Sequence, residues 1–344
     1  MYPARRSVLS MTVLPEKMHT RFTALVNIRY PIVQGGLSHL SYAELAAAVS
    51  EAGGLGQLGC ACFATPEELR SDIQKVRQLT TQPFGVNFPI GHVALDGFLD
   101  VALEEQVAAI SITGGNPEKL LRAIQQSGVA VKTMVLVAGV RAAQKAEQLG
   151  AHAIIAVGFE GGGHLGRDDI GTTVLVPRIL DSVKIPVLAS GGFADGRGLA
   201  AALALGADGI ELGTRFVAVR ESNAHPTYQQ ALVEARETDT VIIERAIGRP
   251  ARVLKGTIPN AILSIEHELE QSNASPEERL QRLLPHIRGI INTRASLEGN
   301  LEEGFVWAGQ AIGLINDIPT TRELIERTVS QAYQQTQRLH NLFD

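Results

Sequence analysis

Eight short apolar runs, each followed by a stretch with helical periodicity, fill residues 30–236 and leave few folds open to this chain. The runs are Pro31–Gly35, Gly54–Leu58, Phe84–Pro89, Ala109–Thr113, Ala130–Val135, Ala153–Val157, Pro186–Ser190 and Gly209–Leu212. The clearest helical stretches are Ser41–Ala52, Pro66–Leu79, Gly139–Leu149, Gly196–Leu205 and Pro226–Arg236. Some helix starts carry a chemical signal. Ser41 precedes a run with Glu44 at capping-box distance, and Thr65 precedes Pro66 at the first helical position. A helix after every strand returns the chain to the same end of the sheet, so the strands pair in parallel. Short returns such as Leu149-Gly150-Ala151 and Leu205-Gly206-Ala207 favour a closed α/β barrel, (β/α)8, over an open doubly wound sheet.

The chain has 344 residues, beyond the roughly 250 that such a barrel needs. Residues 240–344 lack the strand–helix alternation and read as helices with loops, over Pro259–Ser272, Pro276–Ile291 and Thr320–Leu342, with a glycine-rich stretch around Glu298–Gly313. The expected division is a flexible leader over 1–20, a barrel over 21–239, and a smaller C-terminal helical subdomain over 240–344 packed near the barrel mouth. Arg5 and Arg6 precede a weak apolar run that Ser10 and Thr12 interrupt, with no cleavage pattern after it. No stretch approaches the ~20 apolar residues of a membrane span. With a net charge of -5 and its charges well mixed, the chain offers no basic stripe for nucleic acid. These features predict a cytoplasmic enzyme for small molecules, with no nucleic-acid or membrane partner and with room for a homo-oligomer. The two cysteines, Cys60 and Cys62, are expected on a strand as reduced packing thiols.

A barrel of this kind does its chemistry where its strands end. The exits here carry Gln34-Gly35-Gly36, Asn87, Thr113-Gly114-Gly115-Asn116, Gly158–Gly166, Ser190-Gly191-Gly192 and Gly213-Thr214-Arg215. The last two strands commonly bind phosphate. Gly191, Gly192 and Gly213 let backbone amides approach an anion, and Asp195-Gly196-Arg197-Gly198 opens a helix whose amides are expected to help. Gly161–Gly166 matches G-x-G-x-x-G, but Arg167-Asp168-Asp169 follows in place of a helix, so it is not a dinucleotide fingerprint. His164, on a glycine-rich loop at the mouth, is the candidate proton acceptor. Lys132 on the fifth strand serves either a ligand or an inner carboxylate. Glu160 reads as a structural partner of its loop.

Taken together, Tyr30–Gly36, Ala52–Gly56, Pro83–Asn87, Gly158–Gly166, Ala189–Gly198 and Gly213–Phe216 resemble the nitronate monooxygenase (2-nitropropane dioxygenase) family. The resemblance runs from about Arg21 to Gln331 and includes Trp307–Gln310. It implies an FMN-containing TIM barrel. In that reading Gly36, Leu37 and Asn87 line the flavin ring, Lys132 and Gly162 touch the cofactor, and Ser190, Gly191, Gly192, Gly213 and Thr214 hold its phosphate. His164 matches the family histidine beside the flavin. The 159–170 segment also resembles bacterial NADH:quinone reductases, and Glu221–Pro226 resembles flavin-dependent enoyl-ACP reductases. The resemblance puts oxidation of alkyl nitronates by FMN and O₂ first. NAD(P)H-driven reduction of a quinone or enoyl thioester comes second, and a non-catalytic barrel for a phosphorylated ligand third.

Overall fold

The computed structural model describes residues 14–91 and 95–343. Eight parallel strands form the centre: β1 (Ile32–Gln34), β2 (Gly56–Gly59), β3 (Phe84–Pro89), β4 (Ala109–Thr113), β5 (Lys132–Val137), β6 (Ala153–Val157), β7 (Val187–Ser190) and β8 (Gly209–Leu212). Each pairs with its sequence neighbour from β2 to β8, β8 pairs with β1, and a parallel bridge from Val33 to Leu55 closes the circle. This is the expected (β/α)8 TIM barrel. All of its strands except β5 are buried on both faces or nearly so, which is why most of them read as continuous apolar runs.

The barrel's lower end is filled by its own inward residues and by the helix Arg21–Val26. Phe22 and Val26 join Val33, Leu55, Ala109, Met134, Ile155 and Leu188 in one buried cluster. Of the leader expected over 1–20, residues 1–13 lie outside the described residues. Met18 N donates to Arg29 O at 2.9 Å, and Pro15 O accepts from Tyr30 Oη at 3.1 Å.

The helix Pro66–Leu79 starts as expected, with Thr65 accepting from Glu68 N at 3.2 Å. Ser41 does not cap its helix. Its hydroxyl is drawn to the loop after β1, where it accepts from Leu37 N at 2.7 Å and Gln34 Nε2 at 3.0 Å. The helix begins instead at Ala43, whose N–H is taken by Asp72 at 2.8 Å. Cys60 and Cys62 lie on a short 3₁₀ turn after β2 and not on a strand; both are free thiols that burial pushes up to about 12.

Residues after 240 are not purely helical. Thr240–Ile243 and Ala251–Leu254 form an antiparallel hairpin that pairs with Gly163–His164. The helices Thr257–Gln271, Pro276–Ile287 and Gly289–Ser296 follow. The last helix, Thr321–His340, begins in a capping box between Thr320 and Glu323 and packs along the barrel's flank against the helices Gly196–Ala204 and Ala43–Glu51.

Candidate active site

The C-terminal ends of the strands open into one cleft of about 440 Å³. Gly36, Leu37 and Asn87 line it from β1 and β3, and Gly162 and His164 from the loop after β6. Ser190, Gly191, Gly192, Gly213 and Thr214 line it from β7 and β8. Lys132 does not join them. Its strand begins at Lys132, two residues later than expected, so the lysine stands at the opposite end of the barrel from the mouth. It lies near His152, whose pKa is lowered by burial and then by the lysine's charge. The residue that β5 sends to the cleft is Leu136.

The cleft floor is polar and tightly fitted. Asn87 donates to Ser111 Oγ at 2.9 Å, and a Cβ on Gly36 would fall 2.3 Å from the Asn87 side chain, so only glycine lets the β1 exit cross here. Glu211, on β8, is one of the residues that sequence reasoning missed. It is buried, it accepts from Ser190 Oγ at 2.8 Å, and desolvation lifts its carboxyl to about 7. A charged residue inside a four-residue buried strand, two residues before the Gly213 exit, is the signal that marks it.

The β7 and β8 exits are shaped for close approach. Gly191 and Gly192 hold φ of +92° and +85°, which side-chain-bearing residues rarely adopt. Gly213 has a single neighbour for an added Cβ, Leu37 Cδ2 at 3.8 Å, so its Cα faces open cleft. Thr214 Oγ1 accepts from Gly309 N at 3.0 Å, which leaves its hydroxyl hydrogen to donate. The helix after β7 does not add its amides as expected. Asp195 caps Arg197 N at 3.0 Å and Gly198 N at 3.4 Å, and Gly196 N donates to Gln331.

His164 sits on a loop pinned from outside the barrel. Ala251 pairs with His164 and Arg252 with Gly163, and Leu165 N donates to Pro250 O at 2.8 Å. Arg252 is buried, donates to Phe159 O at 2.8 Å and lies 4.6 Å over the Phe159 ring. Asp169 pairs with Arg245 at 2.9 Å. Glu160 is structural, as expected: it accepts from Thr172 N and Oγ1 at the start of the helix Thr172–Leu180. The imidazole lies 5.4 Å from the Trp307 ring, with Nε2 3.8 Å from Glu244 Oε2 and 3.5 Å from Arg249 Nη2.

The same cleft is also lined by apolar side chains, among them Leu40, Val217, Ile287, Phe305 and Ala311, and by Tyr228. Asn292 and Ser296, one turn apart on the helix Gly289–Ser296, also line the cleft, and their buried Oδ1 and Oγ atoms have no hydrogen-bond partner. Among the described residues no group of side chains is placed to hold a metal ion, and no helix is long and apolar enough to cross a membrane.

Comparison with known proteins agrees with this architecture. The nitronate monooxygenase family model matches residues 19–96 and 90–331. A (3aS,4S,5R,7aS)-5-hydroxy-7a-methyl-1-oxo-octahydro-1H-indene-4-carboxyl-CoA dehydrogenase of Rhodococcus jostii is 34% identical, over 92% of this chain and 96% of its own. A probable nitronate monooxygenase of Staphylococcus saprophyticus is 31% identical, over 92% and 98%. Among solved structures, FabK from Thermotoga maritima superposes with a TM-score of 0.86 at 39% identity, over 95% of this chain and 100% of its own. Nitroalkane oxidase from Streptomyces ansochromogenes gives 0.76 at 28%, over 93% and 100%. With this barrel, this cleft and these matches, the chain belongs to the nitronate monooxygenase family and is a flavin-dependent oxidoreductase.

Proposed function

We propose that the flavin is FMN and that it lies across the cleft, with its phosphate at Gly191, Gly192, Gly213 and Thr214 and its ring along Gly36, Leu37 and Asn87. The fit rests on shape and donor chemistry. Gly191 and Gly192 hold a left-handed backbone packed against the 158–161 loop, the open Cα of Gly213 leaves a space that a Cβ would fill, and Thr214 has a hydroxyl hydrogen to give. Bound there, FMN supplies the two-electron centre. Ser190 has a weaker claim on the phosphate while its hydrogen is given to Glu211. Lys132 has no part in this reading, because it lies at the far end of the barrel.

The organic substrate stacks between the ring and His164, whose imidazole takes or returns the proton that accompanies a change at carbon. The observation that carries the substrate class is the apolar lining of the cleft. A short nitronate engages little of this apolar lining, whereas a substrate with an apolar body packs against Leu40, Val217 and Phe305. That favours oxidation or reduction beside the carbonyl of an acyl or enoyl thioester. The similarity to a carboxyl-CoA dehydrogenase supports this choice, as does the resemblance of residues 221–226 to flavin-dependent enoyl-ACP reductases. Oxidation of alkyl nitronates, the order that the sequence motifs favour, is the second reading. It draws on the family model and on the Arg249 guanidinium near His164, which suits an anion. Both readings put a soluble, cytoplasmic enzyme to work on small molecules. The deciding experiment is anaerobic mixing of the purified enzyme with NADH, NADPH, crotonyl-CoA and propyl-2-nitronate in turn while the flavin absorbance is followed. Bleaching by NADH or NADPH that crotonyl-CoA reverses supports the first reading. Bleaching by the nitronate alone replaces it with the second.

A further inference from the structure

Glu244 stands behind His164 in an unusual state. Its side chain is buried, with 2% exposed, yet Oε2 has no hydrogen-bond partner. An ionised oxygen left in that condition is costly unless a charge answers it. Two groups stand near it: His164 Nε2 at 3.8 Å and Arg249 Nε at 3.7 Å. Arg249 is half exposed and also approaches His164, through Nη2 at 3.5 Å, so the three side chains form a closed cluster at the wall of the cleft. Glu244 further adopts a left-handed backbone, φ +64°, which a glutamate takes at some cost, on the turn that leaves Thr240–Ile243. That turn is part of the hairpin that pairs with His164 itself, so one element sets both the imidazole and the carboxylate.

We propose that Glu244 is the positioning residue of His164, the carboxylate that orients the imidazole and balances its charge once the ring has taken a second proton. The inference rests on the reading of His164 as the proton acceptor and adds the group that makes this role stable. The proton leaves the substrate carbon, the ring becomes an imidazolium, and Glu244 Oε2, already 3.7 Å from Arg249 Nε, gains a second cation at 3.8 Å. In the neutral state Arg249 is the partner within reach of both groups, and its partly exposed chain is free to turn toward solvent when the ring is charged. The other charged groups on the packed elements have partners of their own: Arg252 donates to Phe159 O and Thr240 Oγ1, and Arg167 donates to Gly248 O. Glu266 accepts from Ala246 N at 2.7 Å, and Arg245 is bound to Asp169.

The test follows the His164 ring by NMR in the flavin-loaded protein labelled at histidine, compared with Glu244→Gln, Glu244→Asp and Arg249→Gln, with His164→Ala to assign the signal. Glu244→Gln lowers the pH midpoint of ring titration by about one unit, as expected for loss of an opposite charge at this range, and Glu244→Asp restores part of it. Arg249→Gln moves the midpoint upward, because it removes the competing cation, and this arm stands even if Glu244→Gln does not fold. A midpoint unchanged in both Gln variants overturns the proposal. The readout needs no substrate, so it separates this proposal from the assignment of the reaction: a coupled pair in an enzyme whose turnover ignores His164→Ala would remove the proton-acceptor role and leave the pairing intact.

Discussion

Ser190 on β7 donates to the Glu211 carboxyl on β8 at 2.8 Å, directly beneath the exits that the proposed phosphate would occupy. Burial holds this carboxyl at about 7, well above the 4.5 of an unperturbed glutamate. A folded-state pKa raised in this way means that the fold prefers the protonated form. The stability that this gives is complete below about pH 4.5 and is lost as pH rises through about 7. The difference corresponds to roughly 3 kcal/mol. Glu211→Gln, which keeps the shape and removes the ionisation, unfolds at a higher denaturant concentration than wild type at pH 8 and at nearly the same one at pH 5. Equal midpoints at pH 8 would show that the carboxyl finds a compensating partner on ionisation.

Gly213 separates a folding effect from a ligand effect. An added methyl has room within the protein, since Leu37 Cδ2 at 3.8 Å is its only near neighbour, and the backbone there is not left-handed. Gly213→Ala therefore folds with the wild-type melting temperature when both proteins are stripped of flavin. Its affinity for FMN falls by tenfold or more, because the methyl occupies the phosphate's approach. Titration of the apoprotein with FMN, followed by fluorescence quenching, reads this directly. Wild-type affinity in the variant would move the phosphate away from β8.

The barrel was legible because its strands are short, buried and flanked by helices with clear periodicity, and β3, β4, β6 and β8 lie where the residues predict them. The hairpin over 240–254 was not. Its strands are four residues each, its turn carries Glu244 in a left-handed conformation with no Asn-Gly signal, and its partner is a two-residue strand inside a glycine loop. Pairing of that kind is decided by tertiary contact and leaves no periodicity to read. The glycines and His164 could be marked as mouth residues because they follow strands, and Asn87 because it lies near the end of β3. Lys132 was misplaced for the converse reason: a shift of two residues in where β5 starts leaves it at the strand's lower end. Glu244 and Arg249 gave no signal, since their meaning depends on a loop 80 residues earlier in the chain.

The hairpin's hold on the His164 loop gives the last prediction. Arg252 is the fastening: its guanidinium is buried, donates to Phe159 O at 2.8 Å and to Thr240 Oγ1 at 3.1 Å, and covers the Phe159 ring. Arg252→Ala removes both donors and the ring contact, leaves the Phe159 carbonyl without this partner, and opens space behind the loop. The expected cost is roughly 2–3 kcal/mol of stability. The FMN phosphate grip lies on β7 and β8, so purified Arg252→Ala keeps its flavin. His164 is no longer held against Glu244 and Trp307, and turnover falls toward the roughly 10²–10⁴-fold loss expected when a positioned proton acceptor is removed by His164→Ala. Arg252→Lys restores charge without the planar fork that reaches both acceptors, and it recovers little of either loss. Chemical denaturation and steady-state kinetics on the same preparations test the two effects together. A variant that loses stability but turns over at the wild-type rate would show that the loop holds His164 without the hairpin's help.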